Sequence, residues 1–140
     1  MTNNIKEQYR ALCEQEKTIS LYSQSWWLDI ICGRDGWDVV TVVKNNEIYA
    51  SLPYTREKKY KLFKAISQPK INQSLGVWMR NEACNLHKKL GNEKELMTEL
   101  IENLPNHDIF CQHFSSDITN WLPFYWKGFE QTTTLYLPSE

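Results

Sequence analysis

The stretch that most restricts the fold is WDVVTVVKNNEIYASLPY, residues 37–54, in which a β-branched run is followed by Asn45-Asn46 and a second extended run. β-branched side chains pack well on a pleated surface, and asparagine tolerates the left-handed conformations of tight turns. The stretch therefore reads as strand, turn, strand, and it commits the chain to a sheet. Pro53 lies in the second run; it removes a ladder donor there, which predicts an edge or a bulge. The following TREKKYKLFK interleaves charges with Tyr60, Leu62 and Phe63 and reads as a solvated hairpin leading into a third strand near residues 64–67.

Helical periodicity flanks this hairpin. Ile5, Tyr9, Leu12 and Cys13 form one stripe over residues 4–16. Ser23 is placed to cap a second helix in which Trp26, Trp27, Ile30 and Ile31 share a face before Gly33 and Gly36 end the pattern. After Pro69 comes a loop with Gly76 and Trp78, then a helical region over 82–104, interrupted near Gly91. Its second part puts Leu96, Met97, Leu100, Ile101 and Leu104 on one face and stops at Pro105. DIFCQHF, residues 108–114, alternates so that both faces can be covered, which predicts a central strand. Thr119 or Asn120 caps a short aromatic helix, WLPFYWKG, with Pro123 in its first turn and Gly128 at its C-terminal cap. A last strand is expected over 131–137. The order of elements gives an α+β fold, a mixed central sheet of about six strands flanked by helices.

Length and charge narrow the class further. The chain has 140 residues, so a single domain over 1–140 is expected. With 16 basic and 17 acidic residues the net charge is -1, which supplies no electrostatic drive toward DNA. No apolar run approaches a spanning helix, and MTNNIKEQYR lacks the apolar centre of a signal peptide, so the expectation is a cytoplasmic chain away from membranes. Cys13, Cys32, Cys84 and Cys111 form no C-x-x-C pair, so they read as reduced thiols with no metal site. No H-E-x-x-H, no G-x-x-x-x-G-K and no specific Ser/His/Asp arrangement occurs, which removes zincin, NTPase and hydrolase readings.

The same element order resembles the one expected of the GNAT acyltransferase fold. SWWLDIICG, WDVV, ASLPY, NQSLGVW and TNWLPFYWKGFEQTTTLY sharpen the likeness. From about Ile5 to Tyr136 the chain resembles the N-terminal half of FemAB-like proteins, tandem GNAT-like acyltransferases, with NWLPFYWKGFEQ the most specific piece. The resemblance implies transfer of acyl or aminoacyl groups to amines, often those of peptidoglycan precursors. It also implies the acceptor-binding or structural half of an enzyme that needs a second half, supplied by another GNAT-like chain or by a homodimer. The alternative is a non-catalytic interaction or binding module that dimerises or pairs with another GNAT-like chain. No cofactor is expected in this chain alone; a complete enzyme would take an acyl-CoA or an aminoacyl-tRNA donor.

A catalytic GNAT domain cradles its donor's pyrophosphate on a loop reading [RQ]-x-x-G-x-[GA] at the start of the long helix, where the helix dipole favours anions. The corresponding residues are Gln73, Gly76 and Trp78, and Trp78 stands where a small residue is required. The loop is therefore a degenerate candidate. For a general base the histidines to consider are His87, His107 and His113, which read as structural or solvated. Asn120, Trp121, Tyr125 and Trp126 are candidates for a substrate or interface surface, alongside Trp26 and Trp27. Trp121 and Phe124 are expected to turn into the core on a face shared with Tyr125, and Trp126 and Lys127 away from it.

Overall fold

The computed structural model describes residues 2–59, 62–80, 85–114 and 122–129. The fold is mixed α+β. Helix α1 (Thr2–Gln15) and a 3-10 turn (Leu21–Ser23) precede α2 (Ser25–Cys32). Strands β1 (Asp38–Lys44), β2 (Glu47–Lys59), β3 (Phe63–Ser67) and β4 (Trp78–Met79) follow, then α3 (Leu86–Asn103), β5 (Ile109–Phe110) and α4 (Leu122–Trp126). The sheet runs β1-β2-β3-β5, with β4 also on β2. It is antiparallel except between β3 and β5, where Ala65 faces Ile109 and Ile66 faces Phe110 in parallel register.

The hairpin that commits the sequence to a sheet forms as expected. Asn45 and Asn46 take φ of 51° and 65°, the left-handed pair that a tight turn between twisted strands requires. β2 is longer than the sequence predicts and is an interior strand, and Pro53 faces Val39 in regular register, so neither the edge nor the bulge expected at Pro53 is present there. Tyr49 O accepts from the Arg80 amide and Pro53 O from the Gln112 side chain, so alternate residues of β2 face away from β1. On that side β4 pairs with Ala50 and Ser51, and β3 begins at Thr55. Pro53 sits in the gap between them, where no strand asks for its missing N–H.

A register shift lies between Val42 and Val43, which face Ala50 and Ile48, leaving Tyr49 as the extra residue of a bulge. The bulge sends Ala50 and Ile48 to different cores. One core packs Val40, Val42, Ala50, Leu52, Tyr54 and Ile66 under Leu96, Met97, Leu100 and Ile101 of α3, with Phe124 of α4. The other packs Val39, Ile48 and Trp78 under Tyr9, Leu12 and Cys13 of α1, with Leu28 of α2 and Trp37. Both faces of the sheet are thus covered, as its β-branched composition requires.

Several local expectations are corrected. Gln24, not Ser23, precedes α2, without a side-chain cap; Ser23 is spent in the 3-10 turn. In α2 the fully buried residue is Leu28; of the face read from the sequence, Trp26 and Ile30 are 53% and 70% exposed, while Trp27 and Ile31 are half-buried and Trp27 packs against the core. Helix α3 starts at Leu86, capped by Asn85 Oδ1 accepting from the Lys88 amide, and runs through Gly91 without a break. A Cβ at Gly91 would meet nothing, so the glycine marks no packing constraint. β5 is much shorter than residues 108–114, and in the described sheet it lies at an end of the order. After the Cys111 amide bonds Ile66 O, residues 112–114 leave the ladder to bond the loop that follows β3. The cap at Thr119 or Asn120 and the strand over 131–137 lie outside the described residues. Among the described residues no helix is long and apolar enough to cross a membrane.

Candidate functional site

β3 and β5 run parallel for only two residue pairs and then part. The space between them is filled from both sides. Gln112 Nε2 donates to Pro53 O at 3.1 Å and to Ser67 O at 3.2 Å, tying β5 to β2 and β3 beyond the ladder. Its Oε1 is buried and has no hydrogen-bond partner among the described residues. The Leu75 amide donates to His113 O at 2.9 Å, and the His113 amide donates to Gln68 Oε1 at 2.7 Å. The segment 68–77 is therefore bonded to residues 112–114 from both ends.

This bonding decides the state of Gln73, Gly76 and Trp78. Gln73 is exposed. A Cβ on Gly76 would lie 2.4 Å from Phe114 Cδ1, so the space beside the glycine is already taken by a ring. Trp78 stands in β4 opposite Ser51, is 8% exposed, and donates its indole N–H to Thr18 Oγ1 at 2.9 Å. Arg80 stacks over the rings of Tyr49 and Trp78 while its Nε and Nη2 donate to Ile48 O. A pyrophosphate cradle needs free amides, open space at small residues and a helix start close behind them. Here the Leu75 amide is used, Gly76 is covered, Trp78 is strand, and α3 begins only at Leu86. The residues present do not fit an acyl-CoA pyrophosphate in the expected manner.

The aromatic helix divides its side chains. Phe124 is 3% exposed and packs with Phe110, Phe114 and Phe129 at centroid distances of 5.9, 5.1 and 5.3 Å. Tyr125 is exposed, not on the buried face with Phe124; Trp126 is 61% exposed, with Lys94 Nζ 5.6 Å from its ring centre. Asn120 and Trp121 lie outside the described residues. Gly128, at φ 92°, ends the helix as expected. Trp27 is half-buried, its indole N–H donating to Asn72 Oδ1 at 2.8 Å, and Tyr22 and Trp26 meet it edge-on. His107 Nδ1 donates to Pro105 O at 2.9 Å between the rings of Phe110 and Phe129; His113 and His87 are exposed. Among the described residues no three His, Cys, Asp or Glu side chains gather as a metal site.

A charged cavity that the sequence reading did not single out lies where α1 crosses the loop between α2 and β1. Its volume is about 490 Å³, and it is lined by Lys6, Glu7, Arg10, Arg34, Asp35, Trp37 and Asp38. Arg10 Nη2 donates to Asp29 Oδ1 at 2.8 Å, and the same oxygen accepts from Trp37 Nε1 at 3.0 Å. Lys6 Nζ and the Arg10 guanidinium both lie over the Trp37 ring, and Lys6 donates to the Trp37 carbonyl at 2.6 Å and to that of Arg34. Burial lowers the Lys6 pKa, aided by the charge of Arg10. Burial works against the Asp29 carboxylate, yet the Arg10 and Trp37 hydrogen bonds outweigh it and hold its pKa below the usual value. The lining sets the carboxylates of Glu7, Asp35 and Asp38 beside the cations of Lys6, Arg10 and Arg34, with Glu7 paired to Arg10 and Arg34 and Asp38 to Arg56. The signal in the sequence was the Lys6, Arg10 spacing on α1 facing R-D-G-W-D, which pattern reading assigns to solvated surface.

No family model matches the chain, and no curated protein matches it. Among solved structures it is similar to an aminoglycoside acetyltransferase from an uncultured soil metagenomic sample. The crystal structure with trehalose shares 15% identity at a TM-score of 0.43; the one with sisomicin shares 13% at 0.44. Each overlay covers 99% of this chain and 89% of that chain.

Proposed function

We propose that this chain is a cytoplasmic GNAT-like domain of the acyltransferase class that serves as the acceptor-binding or structural half of an N-acyl or aminoacyl transferase. The observation that carries the reading is the order of elements. Two helices lead into antiparallel β1, β2 and β3, and helix α3 then crosses to a β5 that runs parallel to β3. The FemAB-like likeness rests on NWLPFYWKGFEQ and the shorter sequence pieces. The covered Gly76 and buried Trp78 favour a role other than donor binding at that loop. The charged cavity, lined by carboxylates and cations together, suits an acceptor that carries both an amine and an anionic group, such as a peptidoglycan precursor.

The test is calorimetry of the purified chain with acetyl-CoA and with amine-bearing acceptors, followed by an acyl-transfer assay. The reading expects acceptor binding, no binding of acetyl-CoA in the micromolar range, and no turnover by the chain alone. Micromolar binding of acetyl-CoA with turnover would replace the half-enzyme reading by a complete enzyme. A second reading, the non-catalytic interaction module, is favoured by the outward-facing Trp26, Ile30, Tyr125 and Trp126. Absence of both acceptor binding and turnover would select it.

A further inference from the structure

Strand β1 is an edge of the sheet, and its outer side carries no strand among the described residues. Its hydrogen-bonding parity is fixed by its neighbours. Tyr49 O and Pro53 O face away from β1, so by alternation Ala50, Leu52 and Tyr54 bond their partners Val42, Val40 and Asp38. Val39, Thr41 and Val43 therefore point their amides and carbonyls outward. Two of these groups are held by side chains: the Val39 amide donates to Asp38 Oδ1 at 2.8 Å, and Thr41 O accepts from Asn103 Nδ2 at 3.3 Å. The run is β-branched and free of proline; its blunting devices are the charged residues at its two ends, the bulge of β2 opposite Val42 and Val43, and the two side-chain bonds just named.

From this edge we infer that the chain forms a homodimer in which β1 pairs antiparallel with β1 of a second copy, with Thr41 on the two-fold axis. In that register Thr41 exchanges both backbone bonds with its counterpart, and Val39 does so with Val43 of the second copy. The charges select it. Asp38 then lies opposite Lys44 of the second copy, and Lys44 opposite Asp38, at both ends of the ladder. A slip of two residues either way sets Asp38 against Val42 or Lys44 against Val40 and shortens the ladder. The pairing also brings the exposed Val43 beside Val39 across the interface. The weak Asn103 bond to Thr41 O and the local Asp38 bond to Val39 N–H are the contacts that the second strand replaces. The inference does not depend on acyl-transfer chemistry, so a dimer lacking any activity leaves it standing.

The decisive experiment is sedimentation of the full chain at up to about 100 µM, where interfaces of ordinary affinity are populated, with hydrogen exchange on the same samples. A dimer is expected, with the Thr41 and Val43 amides exchanging more slowly as the dimer fills. Thr41→Pro removes an outward amide without touching the β1–β2 ladder, and it should weaken association at least about tenfold while circular dichroism is unchanged. Asp38→Lys and Lys44→Glu should each self-associate less than the parent. Mixed together they should form a heterodimer, because the introduced lysine of one copy then meets the introduced glutamate of the other at one end of the ladder. The unaltered pair of Asp38 and Lys44 remains at the other end. A monomer at all concentrations overturns the inference, as does a dimer that none of these changes weakens. Unprotected Thr41 and Val43 amides in a confirmed dimer would overturn it independently of any variant.

Discussion

Gly76 lies against the ring of Phe114, so close that a Cβ on residue 76 would come within 2.4 Å of Phe114 Cδ1. The contact joins the segment after β3 to the residues after β5, and it closes the place where those two parallel strands separate. Gly76→Ala should therefore destabilise the fold by about 1–3 kcal/mol through overpacking. In a double-mutant cycle, Phe114→Ala should recover part of that loss. Chemical denaturation measures both, and additivity of the two changes would refute the contact.

Gln112 ties the same region from the strand side. Gln112→Leu leaves the carbonyls of Pro53 and Ser67 without their donor, at a cost of about 1–3 kcal/mol for each unsatisfied group. Amide exchange in β5 should rise before that in β1, since Gln112 anchors β5 and β1 is held by β2. Equal protection in the variant and the parent would show that the two bonds contribute nothing.

Trp78 joins the sheet to the segment after α1 through its bond to Thr18 and its place in the core beneath α1. Trp78→Ala should cost about 3–5 kcal/mol. Trp78→Gly should behave likewise and yield no acetyl-CoA binding, because the indole occupies core space rather than a phosphate cradle. A stable Trp78→Gly protein that binds acetyl-CoA would show that the loop was blocked by the indole alone.

The two neighbours in α4 should part company in a thermal melt. Phe124→Ala removes a ring from the aromatic cluster and should cost about 3–5 kcal/mol. Trp126→Ala loses only an exposed ring near Lys94 and should stay within about 0.5 kcal/mol of the parent. Comparable losses at both positions would contradict the outward placement of Trp126.

The Asp29 carboxylate carries a pH dependence. Its pKa in the folded chain lies below the ordinary 3.8, because the hydrogen bonds from Arg10 and Trp37 outweigh the effect of burial. A depressed carboxylate contributes stability that is present above the unfolded pKa and is lost as pH falls through the folded one. The parent should therefore lose stability below the ordinary carboxylate value more steeply than Asp29→Asn. Denaturation midpoints taken at neutral pH and in acid measure the difference; parallel losses in the two proteins would exclude Asp29 as a source.

Local pattern was enough for the β1–β2 hairpin, the buried stripe of α3 and the glycine that ends α4. In each, backbone preference and the burial period act within a few residues and agree. Pattern failed where partners distant in sequence decide. Trp26, Trp27, Ile30 and Ile31 read as one apolar face of α2, yet Leu28 is the buried residue, with Trp27 packed at the margin of the same core and Trp26 and Ile30 exposed, so the helix is turned by its packing. Pro53 argues for an edge or a bulge, yet a break between β3 and β4 accommodates it inside the sheet. The charges of Lys6, Arg10, Asp35 and Asp38 read as solvated residues in sequence and become a lined cavity only when α1 crosses Trp37. The sequence by itself determined the hairpin, the helix periods and the order of elements, since those follow from near neighbours. Only the tertiary structure decided that Phe114 fills the space beside Gly76 and that β1 has no strand on its outer side among the described residues, because each depends on contacts the chain makes after long excursions.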